Sequence, residues 1–589
     1  MNNNFHEEDK LGKAYDLHII RRLFKYAKPY RSKIFFSTFL VLIITILELA
    51  QPYLIKIAID DYINVSNGSL NSLYIIGTIY FGILVVVFIL NYIQTYILQY
   101  VGQKVIFNIR QQIFEHLQSL SLSFFDKNPV GRLVTRVTND AETLNDMYTN
   151  VLVNLIKDFF IIVGIVVIML FLNLKLALLS FVSVPLILVS SFFYRKIARE
   201  AFRQVRTKLA KINAAIHENI SGMKIVHIFS REKQQFEEFD EINFSYYKSS
   251  MKELKLAAIF RPSMDFIYSL TLTFLLWFGG RDVIGNALEL GTLYAFVDYI
   301  RRFFQPINDI SEKYTIMQSA MASSERIFQL LDQKETIENI NNTVNIDQLK
   351  GEIEFEKVWF AYKGQDWVLK DVSFKIKPAE LVAFVGATGA GKSSIINLLG
   401  RYYDVQKGSI KIDDIDIKTM DKHQLRKKIG IVLQDVFLFS GDIRSNISLN
   451  NPEITNDLIK KVSHYVNAHQ FIEKMPNKYN EKVMERGSTL SQGQKQLLAF
   501  ARTLAYDPSI LVLDEATANI DTETELLIQD ALQKITKNRT TIMIAHRLST
   551  IQHVDKIIVL HKGEIREIGD HQQLLSQKGI YYNLYQLQY

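Results

Sequence analysis

The sequence predicts two kinds of structure in one chain, an all-α membrane domain of six spans followed by a soluble α/β domain. Six apolar stretches precede about residue 310, each long enough to cross a bilayer, which takes roughly 20 helical residues. Beyond Asp332 the composition changes, and short apolar runs alternate with amphipathic stretches as in a mixed α/β domain. We therefore predict a membrane domain at 1–330, a linker at 331–350 and a soluble domain at 351–589.

Composition excludes several functions. The chain has no cysteine, which removes disulfides, thiolate metal sites and thiol nucleophiles. A net charge of +7 is modest for 589 residues, and basic patches interleaved with aromatic residues, as nucleic-acid binding requires, are not evident. The first 33 residues are too polar for a secretory signal.

Charge asymmetry predicts the orientation of the spans. Lys and Arg precede the first span and fill segments 101–150 and 195–258, whereas Asp60–Ser72 contains neither. The N-terminus, the two long loops and the soluble domain are therefore expected in the cytoplasm. The long loops are predicted to continue the spans as helices. The predicted spans are Ile34–Ile55, Leu73–Tyr100, Asn154–Leu172, Leu176–Tyr194, Ile259–Phe278 and Leu288–Ile307.

The last two spans carry charges. Span five must include Arg261 and Asp265, and span six includes Asp298, Arg301 and Arg302. A charge at mid-membrane costs about 2.5–3.5 kcal/mol on insertion scales, so these groups should face water, a partner or each other. Asp298 can be neutralised by Arg301 or Arg302, at i+3 and i+4. The alternative is that Arg261, Asp265 and Asp298 line a translocation pathway.

A phosphate-binding motif dominates the soluble domain. The strand-like run Leu381–Val385 ends in the residues GATGAGKS and is followed by a helical pattern, which is the context that G-x-x-x-x-G-K-S requires. Glycines allow backbone N–H groups to point at a phosphate, and the helix dipole adds to the attraction. Lys392 can hold the β- and γ-phosphates, and Ser393 can offer its hydroxyl to Mg²⁺. The predicted ATP-binding residues here are Gly386, Ala387, Thr388, Gly389, Ala390, Gly391, Lys392, Ser393 and Ser394.

Polar residues at the ends of other apolar runs extend this site. Asp514 is expected to hold Mg²⁺, and Glu515 to orient and polarise the attacking water. Gln434 is placed to meet Mg²⁺ or that water, and His546 to donate a hydrogen bond to the γ-phosphate. Upstream, the ring of Tyr362 can stack on an adenine face.

A second predicted anion site lies in the stretch Leu490–Gln494, just before the helical run Lys495–Leu504. Ser491 can cap that helix, and the amide of Gly493 adds a donor at its positive end. One domain does not need two such sites for one phosphate chain. We therefore expect this one to close over the γ-phosphate of a nucleotide held by another subunit.

With these motifs in this order, the chain resembles the ATP-binding cassette (ABC) transporters of the exporter type along essentially its whole length. The resemblance implies the following ATP-site elements: Tyr362 as the A-loop residue, Gly386–Ser393 as Walker A, Gln434 as the Q-loop, Ser491, Gln492, Gly493 and Gln494 within the signature, Asp514 and Glu515 as Walker B with the catalytic acid, Asp521 in the D-loop Ala518–Asp521, and His546 as the switch histidine. Three further segments resemble regions where exporter domains touch: Ser121–Asp140 and Glu218–Arg231 around the coupling helices, and Glu485–Gly487 before the signature.

The resemblance also implies a dimer of two half-transporters that sandwiches two ATP molecules with Mg²⁺. Gln492 stands where the signature usually has glycine, and the D-loop reads Ala-Asn-Ile-Asp. Such variants are similar to one subunit of bacterial heterodimeric multidrug exporters, so a heterodimer is favoured over a homodimer. Glu515 and His546 are both present, which implies hydrolytic competence.

The function expected from this resemblance is ATP-driven efflux of amphipathic or hydrophobic compounds across the cytoplasmic membrane of a bacterium. A lipid or lipid-precursor flippase shares every motif and is the alternative function. A peptide exporter is less favoured than either. An importer is disfavoured because spans and cassette share one chain in exporter order. A soluble ATPase acting on nucleic acid would not carry the six spans, and a non-hydrolysing relative would be expected to lack Glu515 or His546.

Overall fold

The computed structural model describes residues 17–588, apart from 65–68, 335–336, 338, 340–343, 345–348, 515–521 and 546–550. The chain divides into two compact units. The first comprises the residues up to His116 together with Gly131–Gln333, and the second comprises Leu117–Val130 together with Lys334–Tyr589. The main break therefore falls between Gln333 and Lys334, inside the predicted linker, and a short stretch of the N-terminal half groups with the C-terminal unit.

The first unit is built from helices, several of them interrupted by single π-helical or 3₁₀ turns. In chain order the helices of the N-terminal half are α1 (Leu17–Ala27), α2 (Arg31–Ile57), α3 (Leu70–Ser119), α4 (Leu122–Lys127), α5 (Val130–Thr135), α6 (Ala141–Asp146), α7 (Leu152–Leu172), α8 (Leu174–Phe181), α9 (Ser183–Ser221), α10 (Met223–Ile228), α11 (Glu232–Ile284) and α12 (Leu290–Leu331).

The longest helices exceed what a membrane requires. Helix α3 has 50 residues and α11 has 53, so at 1.5 Å per residue each is about 75–80 Å long, against about 30 Å for the hydrocarbon core of a bilayer. This length confirms that the long loops continue the spans as helices. Four described stretches are long and apolar enough to span a membrane: Leu17–Ile63, Leu70–Ser119, Val130–Leu172 and Leu174–Tyr194. They contain predicted spans one to four, while spans five and six lie on the more highly charged α11 and α12.

The second unit carries all the described strands. They are β1 (Ile353–Ala361), β2 (Trp367–Ile376), β3 (Leu381–Val385), β4 (Lys407–Ile412), β5 (Ile415–Asp416), β6 (Ile429–Val432), β7 (Gly441–Asp442), β8 (Lys482–Val483), β9 (Ile510–Asp514), β10 (Thr540–Ile544), β11 (Lys556–His561) and β12 (Glu564–Gly569). The helices of this unit, apart from α4, are α13 (Lys392–Leu399), α14 (Lys422–Lys428), α15 (Ile443–Ser448), α16 (Asn456–Tyr465), α17 (His469–Glu473), α18 (Gln492–Ala505), α19 (Thr522–Ile535), α20 (His571–Ser576) and α21 (Ile580–Gln588).

Two larger sheets organise these strands. One is antiparallel with the order β2-β1-β4-β5, and the other has the order β12-β11-β3-β10-β9-β6 and is parallel except at β12. The parallel strands are short and almost entirely apolar, as expected of a sheet covered on both faces. One core cluster lies between the two sheets around α13, and a second packs α15, α16, α18 and α19 beside β6 and β9.

Candidate nucleotide-binding site

The parallel sheet gathers the predicted site residues at one edge. Strands β3, β10, β9 and β6 are neighbours and run in the same direction, so their carboxyl ends meet along that edge. The loop beginning at Gly386 leaves β3, Asp514 is the last residue of β9, and Gln434 follows β6 by two residues. In open α/β sheets, this edge is where ligands bind.

The turn from β3 into α13 depends on glycine. Gly391 has φ +104°, in a region that residues with a Cβ rarely adopt, and a Cβ there would come within 2.6 Å of Leu369 Cδ2. A Cβ at Gly386 would come within 2.2 Å of the backbone oxygen of Leu560. The loop can therefore be this tight only with glycines at both positions, and a tight glycine-rich turn is the kind of backbone that forms an anion-binding concavity.

Lys392 lies inside that loop. Its side chain is only 6% exposed, and its ammonium donates to the carbonyl oxygens of Gly386 at 2.6 Å and of Ala387 at 3.2 Å. A buried ammonium is expensive unless it is paired with an anion or hydrogen-bonded. The phosphates of a nucleotide in the loop would give it anionic partners, so the position of Lys392 suits the predicted contact. Ser393, the next residue of α13, is exposed.

Tyr362 packs above the same helix. Its hydroxyl lies 3.0 Å from Ser394 Oγ and accepts a hydrogen bond from Asn397 Nδ2 at 3.3 Å, while the residue stays 40% exposed. The rings of Phe360 and Tyr403 meet it edge to face, with centroids 4.7 and 5.1 Å away. The predicted adenine-stacking residue is thus anchored directly to the helix that follows the phosphate loop.

The set of oxygen donors at the sheet edge suits a hard divalent cation. The Ser393 hydroxyl, the Gln434 amide oxygen and the Asp514 carboxylate are of the ligand types that Mg²⁺ prefers. Ser393 and Gln434 are exposed and Asp514 is partly so, which leaves these groups accessible to a bound nucleotide. Three other predicted residues, Glu515, Asp521 and His546, lie outside the described residues.

The signature stretch opens α18 with a reciprocal cap. The backbone N–H of Gln494 donates to Ser491 Oγ at 3.2 Å, and the backbone N–H of Ser491 donates to the side-chain oxygen Oε1 of Gln494 at 3.0 Å. The cap predicted for Ser491 is therefore present. Gln492 is exposed in the first turn, whereas Gly493 is buried.

Sequence reasoning missed two residues that surround Tyr362. Asn397 lies three residues after Ser394 and so on the same face of α13, a spacing that could have indicated it. Tyr403 donates from its hydroxyl to the Asp126 carboxylate on α4, and burial raises the pKa of Tyr403 above its ordinary value. Both residues of this contact lie in the second unit, and Asp126 belongs to the predicted contact segment Ser121–Asp140. The other predicted contact segment forms α10 in the first unit, where Ile225 and Ile228 are both more than 60% exposed.

Several charged side chains of the membrane helices form ion pairs, among them Asp298. Asp298 accepts from Arg302 Nε at 2.9 Å, and Arg302 also donates to the Glu48 carbonyl and the Gln51 side chain of α2. The pairing at i+4 expected as one alternative for Asp298 is therefore the observed one, with Arg302 as the partner. Asp265 is exposed, and the side chain of Arg261 lies outside the described residues.

Two more ion pairs join these helices. Lys157 of α7 lies 3.1 Å from the Glu48 carboxylate of α2, and Asp158 of α7 pairs with Lys313 of α12. Sequence patterns gave no sign of either pair because the partners are more than 100 residues apart in the chain. Removing either member would leave its partner as an uncompensated charge.

The structure thus defines a class of protein: a phosphate-loop nucleotide-binding unit that follows a helical membrane unit in one chain. Comparison with known proteins identifies the family. The model of the ABC transporter transmembrane region matches residues 34–307, which include all six predicted spans, and the ABC transporter model matches 369–518. This chain belongs to the ABC transporter family. It is an ATP-binding half-transporter of the exporter type, with an ATPase coupled to transport.

Several relatives cover nearly the whole chain. An ABC transporter ATP-binding protein of Streptococcus pneumoniae is 39% identical, with 97% of each chain covered. An ATP-dependent lipid A-core flippase of Desulfotalea psychrophila is 35% identical over 97% of this chain and 99% of the relative. A Bacillus subtilis protein, named as a probable multidrug resistance ABC transporter ATP-binding/permease protein, is 42% identical over 87% of this chain and 76% of its own.

A solved structure supports the same assignment. A bacterial Atm1-family ABC exporter with ATP bound has a TM-score of 0.77 and 26% sequence identity, with 95% of this chain and 98% of that chain covered. The similarity extends over both the membrane unit and the cassette, so the exporter architecture expected from the sequence is confirmed.

Proposed function

We propose that this chain is one half of a dimeric exporter that moves amphipathic or hydrophobic compounds outward across the bacterial cytoplasmic membrane. The observation that carries this proposal is the charge balance of α2, α7 and α12. Three ion pairs, Glu48–Lys157, Asp158–Lys313 and Asp298–Arg302, each combine one positive and one negative side chain. The paired groups contribute no net charge, which suits substrates recognised mainly by apolar and aromatic contacts.

The role of the membrane charges follows from that pairing. Asp298 is engaged by Arg302, so it acts in helix packing, whereas Asp265 is exposed and is the better candidate for contact with a transported compound. An exposed acid on a membrane helix is stable only if it faces a water-filled cavity or a partner subunit. We therefore retain Asp265 as a pathway residue, together with the predicted Arg261, and assign Asp298 a structural role.

For the nucleotide site, we propose that Lys392 holds the β- and γ-phosphates of ATP while Tyr362 stacks on adenine. The buried position of Lys392 and the anchoring of Tyr362 on α13 support both roles. Ser393, Gln434 and Asp514 would hold Mg²⁺, which when bound neutralises charge on the phosphates. Glu515 orients the attacking water and accepts its proton, and His546 donates to the γ-phosphate.

A second chain completes the site in this proposal. Ser491, Gly493 and Gln494 would close on the γ-phosphate of the ATP held by the partner half-transporter, because one domain does not need two anion sites for one phosphate chain. Gln492 occupies the exposed first turn of α18, so its bulk would fall at the surface that faces the partner's nucleotide. The similarity of this signature and D-loop to those of one subunit of heterodimeric exporters favours a partner of different sequence over a second copy.

ATPase activity in lipid tests this assembly. The chain is purified alone and together with a candidate partner half-transporter, and phosphate release is measured with and without candidate drugs. Activity that needs the partner supports the heterodimer, and robust activity of the chain alone, with cross-linking as a self-dimer, would establish a homodimer. Stimulation by several unrelated amphipathic drugs supports the multidrug substrate class.

A lipid flippase is the second candidate, favoured by the similarity to the lipid A-core flippase. It is distinguished by substrate: lipids would stimulate the ATPase and drugs would not. The orientation, with the cassette in the cytoplasm, rests on the distribution of Lys and Arg. Protease or label accessibility of the cassette in sealed inside-out vesicles tests it.

A further inference from the structure

Helix α1 carries a basic face that no contact within the described chain covers. Arg21, Lys25 and Lys28 are exposed and follow one another at spacings of four and three residues, so they share one side of the helix. Leu17 and Phe24, 82% and 56% exposed, border the same side. A helix with a basic stripe beside exposed apolar side chains is of the type that lies in the interface of a membrane.

The opposite face of α1 is fixed to the protein. Leu23 and Ala27 are buried, and the Tyr148 hydroxyl donates to the Leu23 carbonyl at 2.7 Å. The basic face therefore has a defined direction, and α1 continues through Lys28–Tyr30 into α2, the first membrane helix. The rule that positive residues flank spans on the cytoplasmic side explains why α1 is basic. It does not explain why three of the four Arg and Lys residues between Leu17 and Lys28 share one exposed face.

The fourth Arg or Lys residue of this stretch, Arg22, has a different role. Arg22 forms a bidentate ion pair with Asp332, at 2.5 and 2.9 Å, and its guanidinium lies 4.1 Å from the ring centre of Phe328. The hydrogen bonds from Arg22 lower the pKa of Asp332. Tyr26 stacks on the same Phe328 ring. These contacts clamp helix α1 to the end of α12, after which the chain continues into the linker and the cassette.

We propose that the basic face of α1 binds the headgroups of anionic phospholipids, and that the Arg22–Asp332 clamp transmits this binding to the end of α12. The charge complementarity and the continuity of α1 with the first membrane helix identify the partner as the lipid surface itself. The leaflet concerned is the cytoplasmic one, so the proposal rests on the orientation proposed above. Lipid composition would then affect the end of α12, next to the clamp.

Direct binding tests the site without requiring ATPase activity or transport. Since the chain has no cysteine, Leu17→Cys allows a single environment-sensitive dye on the full chain in neutral detergent, titrated with short-chain phosphatidylglycerol. Each basic residue near a lipid surface contributes about fivefold to affinity. The triple variant Arg21→Gln, Lys25→Gln, Lys28→Gln should therefore weaken binding by about a hundredfold.

The matched control makes the same change of charge on the cassette: Lys460→Gln, Lys461→Gln, Lys474→Gln, at three exposed lysines. It should bind like the wild type. The proposal is overturned if the α1 variant binds phosphatidylglycerol as tightly as the wild type, if the control loses as much affinity, or if zwitterionic phosphatidylcholine gives the same response.

The clamp has its own test. A dye on Gln333→Cys, next to the clamp, should respond to phosphatidylglycerol in the otherwise unchanged chain. Adding Asp332→Asn should abolish that response while the dye on Leu17→Cys still reports wild-type affinity. A response at Gln333 that survives Asp332→Asn, or no response in either chain, would refute transmission through Arg22.

Discussion

Two substitutions of Tyr362 separate its proposed contact with adenine from its hydrogen bonds to α13. Tyr362→Ala removes the ring and the hydroxyl, whereas Tyr362→Phe keeps the ring and its edge contacts with Phe360 and Tyr403. Stacking of a base on an aromatic ring is worth about 1–3 kcal/mol, so Tyr362→Ala should raise the Kd for ATP by about 5- to 150-fold. The bonds lost in Tyr362→Phe lie at 3.0 and 3.3 Å on a residue 40% exposed, so a change of about threefold or less is expected.

Displacement of a fluorescent nucleotide, measured without Mg²⁺ to prevent hydrolysis, gives these Kd values. Tripolyphosphate is the critical competitor, because it fills the phosphate loop but has no base to stack. Its affinity should be the same in the wild type and both variants. Tyr402→Ala serves as the matched control, since that neighbouring ring lies under Arg426 and not beside Ser394. Equal losses for ATP and tripolyphosphate, or wild-type ATP affinity in Tyr362→Ala, would refute the stacking role.

The other predictions concern hydrolysis, phosphate binding and the membrane charges. Glu515→Gln should keep ATP binding while phosphate release falls by about 10²–10⁴-fold, and wild-type turnover would contradict its role as the base. Lys392→Ala should weaken ATP binding more than tenfold, about 1.4 kcal/mol, with Lys392→Arg as the control that keeps the charge; unchanged affinity in the alanine variant would exclude the phosphate contact. Lys157→Met leaves the Glu48 carboxylate without its ion-pair partner. Because both side chains are about a quarter exposed, the free energy of unfolding should fall by about 2–3 kcal/mol, less than for a fully buried pair. Adding Glu48→Gln should restore most of the lost stability, as measured by thermal unfolding in nanodiscs followed by tryptophan fluorescence. If the double variant is no more stable than Lys157→Met, the ion pair is not the cause of the loss.

Local patterns determined much of this protein from sequence alone. The run Leu381–Val385 is the strand β3, residue for residue, and the GKS turn begins α13 at Lys392 as predicted. The Ser491 cap and the continuation of the spans as helices were also predictable from the sequence. These features depend on residues a few positions apart, through glycine's backbone freedom, hydrogen bonds across one helical turn and the periodicity of apolar side chains.

Only the tertiary structure decided which distant groups meet. Asp298 could have paired with Arg301 or Arg302, and it is Arg302 because α2 brings Gln51 and the Glu48 carbonyl to that guanidinium. The pairing of Lys157 with Glu48 depends likewise on how α2 and α7 pack, as does the clamp between Arg22 and Asp332 on the packing of α1 and α12. Charge and spacing along the chain limit the partners that a side chain can have, but helix packing selects among them. The periodicity of apolar residues predicts each helix, but it does not predict which helices pack together.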